Sequence, residues 1–449
     1  MSSPIRWTSR LSFIFATAAA AIGLGNIWRF PYLAGEYGGS AFVLIYLFFV
    51  VVLGIPLMTS EVMLGRMGRA NPVRALITVA HTIHRSRQWG RLGGLTILAG
   101  FLILSYYLVI AGWVFEYFFI TLFGHFHHAT QVSVASDFRA LQSNYWEMLF
   151  FDTLLSASTV AVIALGIKRG LERTVMIMFP ALLFLMVVLL GYSITTDGFH
   201  KAIVFLFEPN FHRITPTVAL MALGQAFFSL NIGMGVIIMF SAYIPDQTPI
   251  SSSVVAVCIA DTAVAILAGL IIFPVVFTYH LSPASGPSLI FQTLPIAFGH
   301  IPYGNLFGAL FFLLLLFAAF TSAIALLEPS VAWLMENHHL SRNAAALLAG
   351  TVCWILSLGT IASFSHKHYI HLFGVTFFDA IDFITSGIML PLGGLLIAVF
   401  TGWLLPQETI QEALGWNVRN PWFRSWRWIK RYFAPIAIGL ILLTSLRIL

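Results

Sequence analysis

Apolar residues run in long stretches along nearly the whole chain, separated by short segments that hold most of the charge. A helix needs ~20 predominantly apolar residues to cross the hydrocarbon core of a bilayer. Eleven stretches approach or exceed that length, near 11–36, 41–65, 92–123, 149–167, 174–193, 215–241, 252–279, 305–335, 344–362, 377–403 and 431–448. Several are longer than a perpendicular crossing requires, so tilted or protruding helices are expected.

Two stretches are interrupted. The first, AAAAIGLGNIWRFP at 18–31, begins as an apolar helix and then packs two glycines, an amide, a guanidinium and a proline into one span. The second, QAFFSLNIGMG at 225–235, puts Ser229, Asn231, Gly233 and Gly235 in mid-span. Lipid cannot hydrogen-bond an open backbone, so such breaks persist at membrane depth only where they line a cavity or are buried in protein. Freed carbonyls can coordinate a cation, and half-helix amino termini attract an anion such as a carboxylate. Arg10, a short apolar run and the alanines also fit a cleaved signal peptide. The second break comes five helices after the first, however, and paired interruptions in matching halves point to an inverted-repeat transporter with its site between them.

Composition narrows the class. With 59% hydrophobic and 9% charged residues among 449, there are too few charges to cover a water-soluble surface. The net charge of +6 does not indicate nucleic acid, because the basic residues fall between apolar spans and not on one solvated face. A cytoplasmic amino terminus places 17 of the 23 Lys and Arg residues inside, among them Arg6, Arg10, Arg66, Arg69, Arg342, Arg419, Arg424, Arg427, Lys430 and Arg431. Arg29 is left within the membrane, and an odd number of spans puts the carboxyl terminus outside. Cys258 and Cys353 both lie in spans and imply no disulfide framework. His125, His127, His128, His366, His368 and His371 lie in outer loops without a carboxylate or cysteine cluster, which favours solvated histidines over a metal site.

A larger set of motifs then comes into view: Trp7 before the first span, Gly23 through Pro31, GGSAF at 38–42, GIPL at 54–57 with Glu61 and Gly65-Arg66, Tyr106-Tyr107, GQAFFSL at 224–230, Thr321-Ser322, and Asp379 with Asp382-Phe383. On these the chain resembles the bacterial neurotransmitter:sodium symporter family, in its eleven-span form. The resemblance implies an all-α polytopic membrane protein with a LeuT-like 5+5 inverted repeat plus one extra helix, spans 1 and 6 being unwound at mid-membrane. The whole chain, 1–449, would be one transporter domain, with repeats at about 8–195 and 213–404 and the extra helix at 431–448.

The resemblance further implies two sodium sites and no chloride requirement. Site 1 would use the Ala21 carbonyl, the Asn26 amide oxygen, Ser229 and Asp261, with the substrate carboxylate. Site 2 would use the Ala19, Ile22 and Ala318 carbonyls with the Thr321 and Ser322 hydroxyls. Both sets are oxygen-only, as a hard alkali cation requires. Asp261 stands out from the residues alone, since an acid within an apolar span is costly unless paired. A carboxylate there supplies the negative charge that chloride-dependent relatives take from an anion, and its protonation on the empty return step would export protons.

The implied substrate pocket holds Ala21, Leu24, Gly25, Ile103, Tyr107, Phe228, Asn231, Met234, Ser322, Ala323 and Leu326. Tyr107 and amides near Leu24 and Gly25 would bind a substrate carboxylate. Gly23 stands where amine-transporting relatives carry aspartate, which favours an amino acid, aliphatic or aromatic to suit the apolar lining. Asn231 either meets a polar substrate atom or caps the exposed backbone of the break. Arg29 and Asp382 would close the outer vestibule through water, above a lid of Phe228 and Tyr107. Trp7, Tyr243 and Glu336 match the inner gate, but Pro4 stands where the family has its gate arginine, leaving Arg6 or Arg10 to substitute. Glu61 matches a position that supports the first break, and Glu328 replaces a neutral amide without an evident role.

The function implied is sodium-coupled import of a small hydrophobic L-amino acid by alternating access across a bacterial inner membrane. Spans 1 and 6 would rock against a scaffold of spans 3, 4, 8 and 9. A non-transporting amino-acid sensor and an ion channel of the same fold are the alternatives. An enzyme is disfavoured, since the spans hold no nucleophile–base pair or metal-ligand cluster.

Overall fold

A computed structural model describes residues 6–283, 289–365, 371–372, 374–416 and 421–446. Among the described residues, nine helices are long and apolar enough to cross a bilayer: Ser40–Gly68, Arg87–Leu122, Tyr145–Ala164, Ile167–Ile194, Ile250–Thr278, Gly304–His338, Arg342–Phe364, Phe377–Leu404 and Pro421–Ser445. A tenth crossing is the bent pair Arg10–Ala21 and Gly25–Glu36, whose halves meet at 53°. Pro216–Ser229 and Val236–Ala242, separated by the second glycine-rich break, complete eleven segments in the expected order. We number them spans 1 to 11 along the chain.

The breaks form where the sequence withdraws helical hydrogen bonds. At the first, Ile22 turns extended with ψ 97°. At the second, Asn231, Gly233 and Gly235 adopt φ of 53°, 83° and 75°, a left-handed conformation that glycine enters freely and asparagine tolerates best among the others. A Cβ on Gly233 would also come within 2.8 Å of the Leu390 carbonyl.

Packing sorts the spans into two groups. Span 3 lies along span 8, and both pack with spans 4 and 9; span 2 packs against both halves of span 6 and against span 7, which also contacts span 1. Shorter helices cover the ends, including Pro72–Thr82, Gln131–Ser143, Phe199–Phe207 and Gln407–Leu414.

The last span differs from expectation. Its helix begins at Pro421, ten residues before the predicted start at 431, because Phe423 and Trp426 turn one face of a charge-rich turn inward. Lys430, expected in a solvated loop, is fully buried. Its Nζ donates to Ser60 Oγ at 3.0 Å and sits over the Trp426 ring. Span 3 likewise starts at Arg87 and not at 92. His366, His368, Arg419 and Pro4 lie outside the described residues, as does the side chain of His371.

Candidate functional site

At the first break the amides that would continue the helix are diverted. Gly23 N donates to Asn26 Oδ1 at 3.3 Å and Leu24 N to the Tyr107 hydroxyl at 3.2 Å. The carbonyls left behind are met by side chains from other spans. Thr321 Oγ1 donates toward Ala19 O at 3.1 Å while lying 3.2 Å from Ala318 O; Ser322 Oγ lies 3.1 Å from Ala20 O and 3.4 Å from Ile22 O. Ala19, Ile22, Ala318, Thr321 and Ser322, the residues expected at a second cation site, therefore lie together. Asn231 Nδ2 donates to Ala20 O at 2.7 Å, so of its two anticipated roles it fills that of backbone cap.

Asp261, fully buried in span 7, gathers the other set. Ser229 Oγ donates to its Oδ2 at 2.5 Å and Asn26 Nδ2 to its Oδ1 at 2.7 Å. Tyr46 completes the ring, its hydroxyl lying 3.4 Å from Asp261 Oδ2 and 3.2 Å from Ser229 Oγ. A carboxylate and two hydroxyls converge in a space closed to water, so the cluster can neutralise a small cation; Asn26 departs from expectation, since its Oδ1 accepts from Gly23 N and it turns Nδ2, not its oxygen, toward Asp261. Tyr46 was not anticipated; it looks like packing in sequence because it lies in an aromatic run. Gln225 was also missed, and its Nε2 holds the Gly25 carbonyl at 2.8 Å.

Between the breaks lies a cavity of about 20 Å³ lined by Ala21, Gly23, Leu24, Gly25, Ile103, Tyr107, Phe228, Asn231, Met234, Ser322 and Leu326. Ala323 departs from the prediction: it is buried in span 8 but does not line the cavity, because Ser322 and Leu326 occupy the facing positions. Above it opens a vestibule of about 530 Å³ whose walls include Arg29, Tyr106, Phe138, Phe291 and Asp382. Leu24, Gly25, Tyr107 and Phe228 border both spaces and form the partition. Arg29 and Asp382 face the vestibule without an ion pair between them. The Arg29 guanidinium lies 4.6 Å from the Phe228 ring centroid, which offsets part of the cost of a cation at depth. Asp382 accepts from Tyr106 at 3.2 Å and Ser386 at 2.9 Å.

The opposite end is sealed by a different network. Trp7 N donates to Tyr243 O at 2.9 Å and the Trp7 indole to Phe240 O at 2.8 Å. Arg6 pairs with Asp246, which Arg69 also meets at 2.5 Å; Arg10 instead bonds Ser252 and Ser253. Of the two candidates to stand in for the gate arginine, Arg6 and not Arg10 therefore reaches an acid at this end. The Arg6 hydrogen bond, with Arg69 beside it, holds Asp246 below the ordinary carboxylate range. Glu336 accepts from Asn71 N and Nδ2 at 3.0 and 2.7 Å. Tyr243 donates to Glu328 at 3.1 Å, and Arg342 pairs with Glu328 at 2.6 Å, so the acid without an evident role is the centre of a buried ion pair. Glu61 also needs correction: its Oε1 accepts from Gly233 N at 2.9 Å, so it supports the second break and not the first. In both cases the sequence shows an intramembrane acid but not which distant amide or cation faces it.

With this geometry in hand, similarity to known proteins becomes informative. Residues 5–130 and 123–448 match the model of the sodium:neurotransmitter symporter family. The uncharacterized sodium-dependent transporter YhdH of Bacillus subtilis is 36% identical over 99% of this chain and 98% of its own length. A sodium-dependent transporter of Haemophilus influenzae is 33% identical over 98% of both. The crystal structure of MhsT in complex with L-phenylalanine superposes with a TM-score of 0.90 at 38% identity, covering 99% of this chain and 100% of that one. Two unwound spans facing each other, a buried oxygen cluster beside each, and end-to-end similarity to sodium-dependent transporters lead to one assignment: this chain belongs to the sodium:neurotransmitter symporter family, and is a multi-pass, sodium-dependent membrane transporter and not an enzyme.

Proposed function

We propose that the protein couples the sodium gradient to the import of a hydrophobic L-amino acid across a bacterial inner membrane. The observation that carries this reading is the polar end of the small cavity, where Leu24 N and the Tyr107 hydroxyl meet beside the Asp261 cluster. A carboxylate entering there finds an amide and a hydroxyl from two spans, with a cation site behind it. The remaining walls, Ile103, Phe228, Met234 and Leu326, are apolar and suit an aliphatic or aromatic side chain. The L-phenylalanine held by MhsT supports the same substrate class.

One sodium ion is held by Ala21 O, Asn26, Ser229 and Asp261 together with the substrate carboxylate, and a second by the Ala19, Ile22 and Ala318 carbonyls with Thr321 and Ser322. Tyr46 steadies the first of these. Because Asp261 brings its own negative charge, transport needs no chloride. The amino terminus faces the cytoplasm and the carboxyl terminus the exterior, in keeping with the excess of basic residues on one side. Two repeats, about 8–195 and 213–404, form the transporter core.

Alternating access follows from the two seals. When substrate and sodium fill the site, Phe228 and Tyr107 close over it and Arg29 and Asp382 approach across the vestibule; the Arg6–Asp246 and Arg342–Glu328–Tyr243 contacts then release. Sodium-gradient uptake of each common amino acid into proteoliposomes tests the proposal, repeated with gluconate replacing chloride and with Asp261→Asn. Saturable, chloride-independent uptake of one or more hydrophobic amino acids is expected. Absence of sodium-dependent uptake of any amino acid would overturn it.

A further inference from the structure

Away from the transport site, spans 3, 8 and 9 enclose an apolar groove of about 390 Å³ at the end of the bundle that carries Arg342. Gly94 and Leu98 of span 3, Ser330 and Trp333 of span 8, and Leu348 and Val352 of span 9 form its walls. We infer that this groove binds one acyl chain of a bilayer phospholipid, whose glycerol ester meets Ser330 and whose phosphate meets Arg91.

Position argues first. At 1.5 Å per residue, Gly94, Leu98, Ser330 and Leu348 lie roughly 9–17 Å in from the ends of their helices. Span 3 alone, at 36 residues, is about 54 Å long by the same rise, longer than the ~40–45 Å of a bilayer with its headgroups. The groove therefore begins where headgroups give way to hydrocarbon. Leu98, Leu348 and Val352 are 50%, 47% and 41% exposed, and at that depth the phase they face is lipid.

Chemistry argues second. Ser330 Oγ is buried, only 7% of the residue being exposed, and has no hydrogen-bond partner. A hydroxyl at membrane depth is costly when unpaired, and an ester carbonyl is the acceptor that a phospholipid brings to this level. Space for the chain is visible at Gly94, where a Cβ would meet no atom within 4 Å. Arg91 is exposed one helical turn before Gly94, on the headgroup side. An apolar peptide or a second copy of the chain has no equivalent need for this pairing of one acceptor with one anion.

The site also borders the inner seal. Ser330 follows Pro329 and lies two residues from Glu328, the acid that Arg342 and Tyr243 hold.

The full-length protein in nanodiscs of phosphatidylglycerol and phosphatidylethanolamine, doped with phosphatidylglycerol carrying a diazirine in one acyl chain, tests the inference by photolysis and peptide mass spectrometry. Adducts are expected on the segments 94–101 and 348–352 in excess of those at Phe184 and Val187 of span 5, which are 67% and 66% exposed and report free annular lipid. Gly94→Leu, which fills the groove, is expected to bring that excess to the annular level. Ser330→Ala is expected to weaken labelling about fivefold, the worth of one hydrogen bond. Labelling of the groove no greater than at Phe184 and Val187, or an excess unchanged in a Gly94→Leu protein of normal thermal stability, overturns the proposal. Protection of the groove by a protein contact, seen as protein–protein cross-links in place of lipid adducts, overturns it also.

Discussion

Replacing Gly23 by alanine is the smallest change that probes the proposed substrate site. A Cβ there would lie 2.7 Å from both Ser322 Oγ and the Tyr107 hydroxyl, closer than real Cβ contacts allow, so at least one must move. The Tyr107 hydroxyl is the acceptor for Leu24 N at 3.2 Å, and Ser322 Oγ reaches the Ala20 and Ile22 carbonyls. Movement of either leaves a buried backbone group unpaired, at ~1–3 kcal/mol, and overpacking adds ~1–3 kcal/mol. If half of the combined ~2–6 kcal/mol falls on the substrate-bound state, binding weakens by about 1–3 kcal/mol, roughly 5- to 150-fold. Sodium-dependent binding of the transported amino acid to purified protein measures it, with thermal unfolding as the control for the fold. Ser322→Ala in the same chain removes one of the two clashing atoms, so the double variant is expected to recover part of the loss, a coupling readable from a double-mutant cycle. Gly23→Ala with native affinity and uptake would refute the reasoning.

The other predictions concern the seals and the buried charges. Arg342→Ala strands a fully buried Glu328 and should cost about 3–5 kcal/mol, seen as a large drop in unfolding temperature in detergent; a drop no larger than that of Arg6→Ala contradicts it. Lys430→Met keeps the shape of a fully buried side chain that has Ser60 and Trp426 as partners, and is expected to be neutral or stabilising in the same assay. Because Arg6 holds the Asp246 pKa down, their contact is complete above the ordinary carboxylate value of about 3.9 and is lost only as pH falls through the lower folded value. Labelling of a cysteine placed near Trp7, by a reagent applied to the purified protein, should therefore be flat from pH 5 to 8, yet rise in 1 M salt, where the Debye length is ~3 Å.

The spans and their two interruptions are legible in the sequence because each is a local property. Twenty apolar residues specify a crossing wherever they occur, and Gly233 and Gly235 mark an interruption of the span without reference to any neighbour. Asn26, Ser229 and Asp261 stand out as polar residues where lipid demands apolar ones, but the proposed ligand sets, Thr321 and Ser322 among them, rest on the family resemblance, since a hydroxyl in a span can equally bond back to its own helix. Tyr46 shows where this ends. Its ring satisfies the aromatic pattern of span 2, and only the approach of span 7 reveals that the hydroxyl faces Asp261. The start of span 11 was hidden for the opposite reason, since its charges dominate any average over the sequence while Phe423, Trp426 and Lys430 turn inward.

The inner seal shows what kind of information was missing. Glu328 and Arg342 are 14 positions apart and belong to consecutive spans, and Glu61 meets Gly233 across 172 positions. Each acid is identifiable as one that must be compensated, but compensation can come from any amide or cation that the packing delivers. With proline at position 4, where the family has its gate arginine, an ion pair is still present at this end, because Arg6 meets Asp246 beside Arg69. Because Asp246 is exposed and Glu328 is not, the two contacts differ in character: the first is readily screened and quickly remade, while the second is expensive to leave unpaired. On the proposed cycle, opening at this end would have to break Arg6–Asp246 at the rim and, at the centre, part Tyr243 at the end of span 6 from Glu328 of span 8, which also carries Thr321 and Ser322 at the proposed second sodium site. The residues that would sense sodium and the acid that holds the inner end closed thus lie within two turns of one helix.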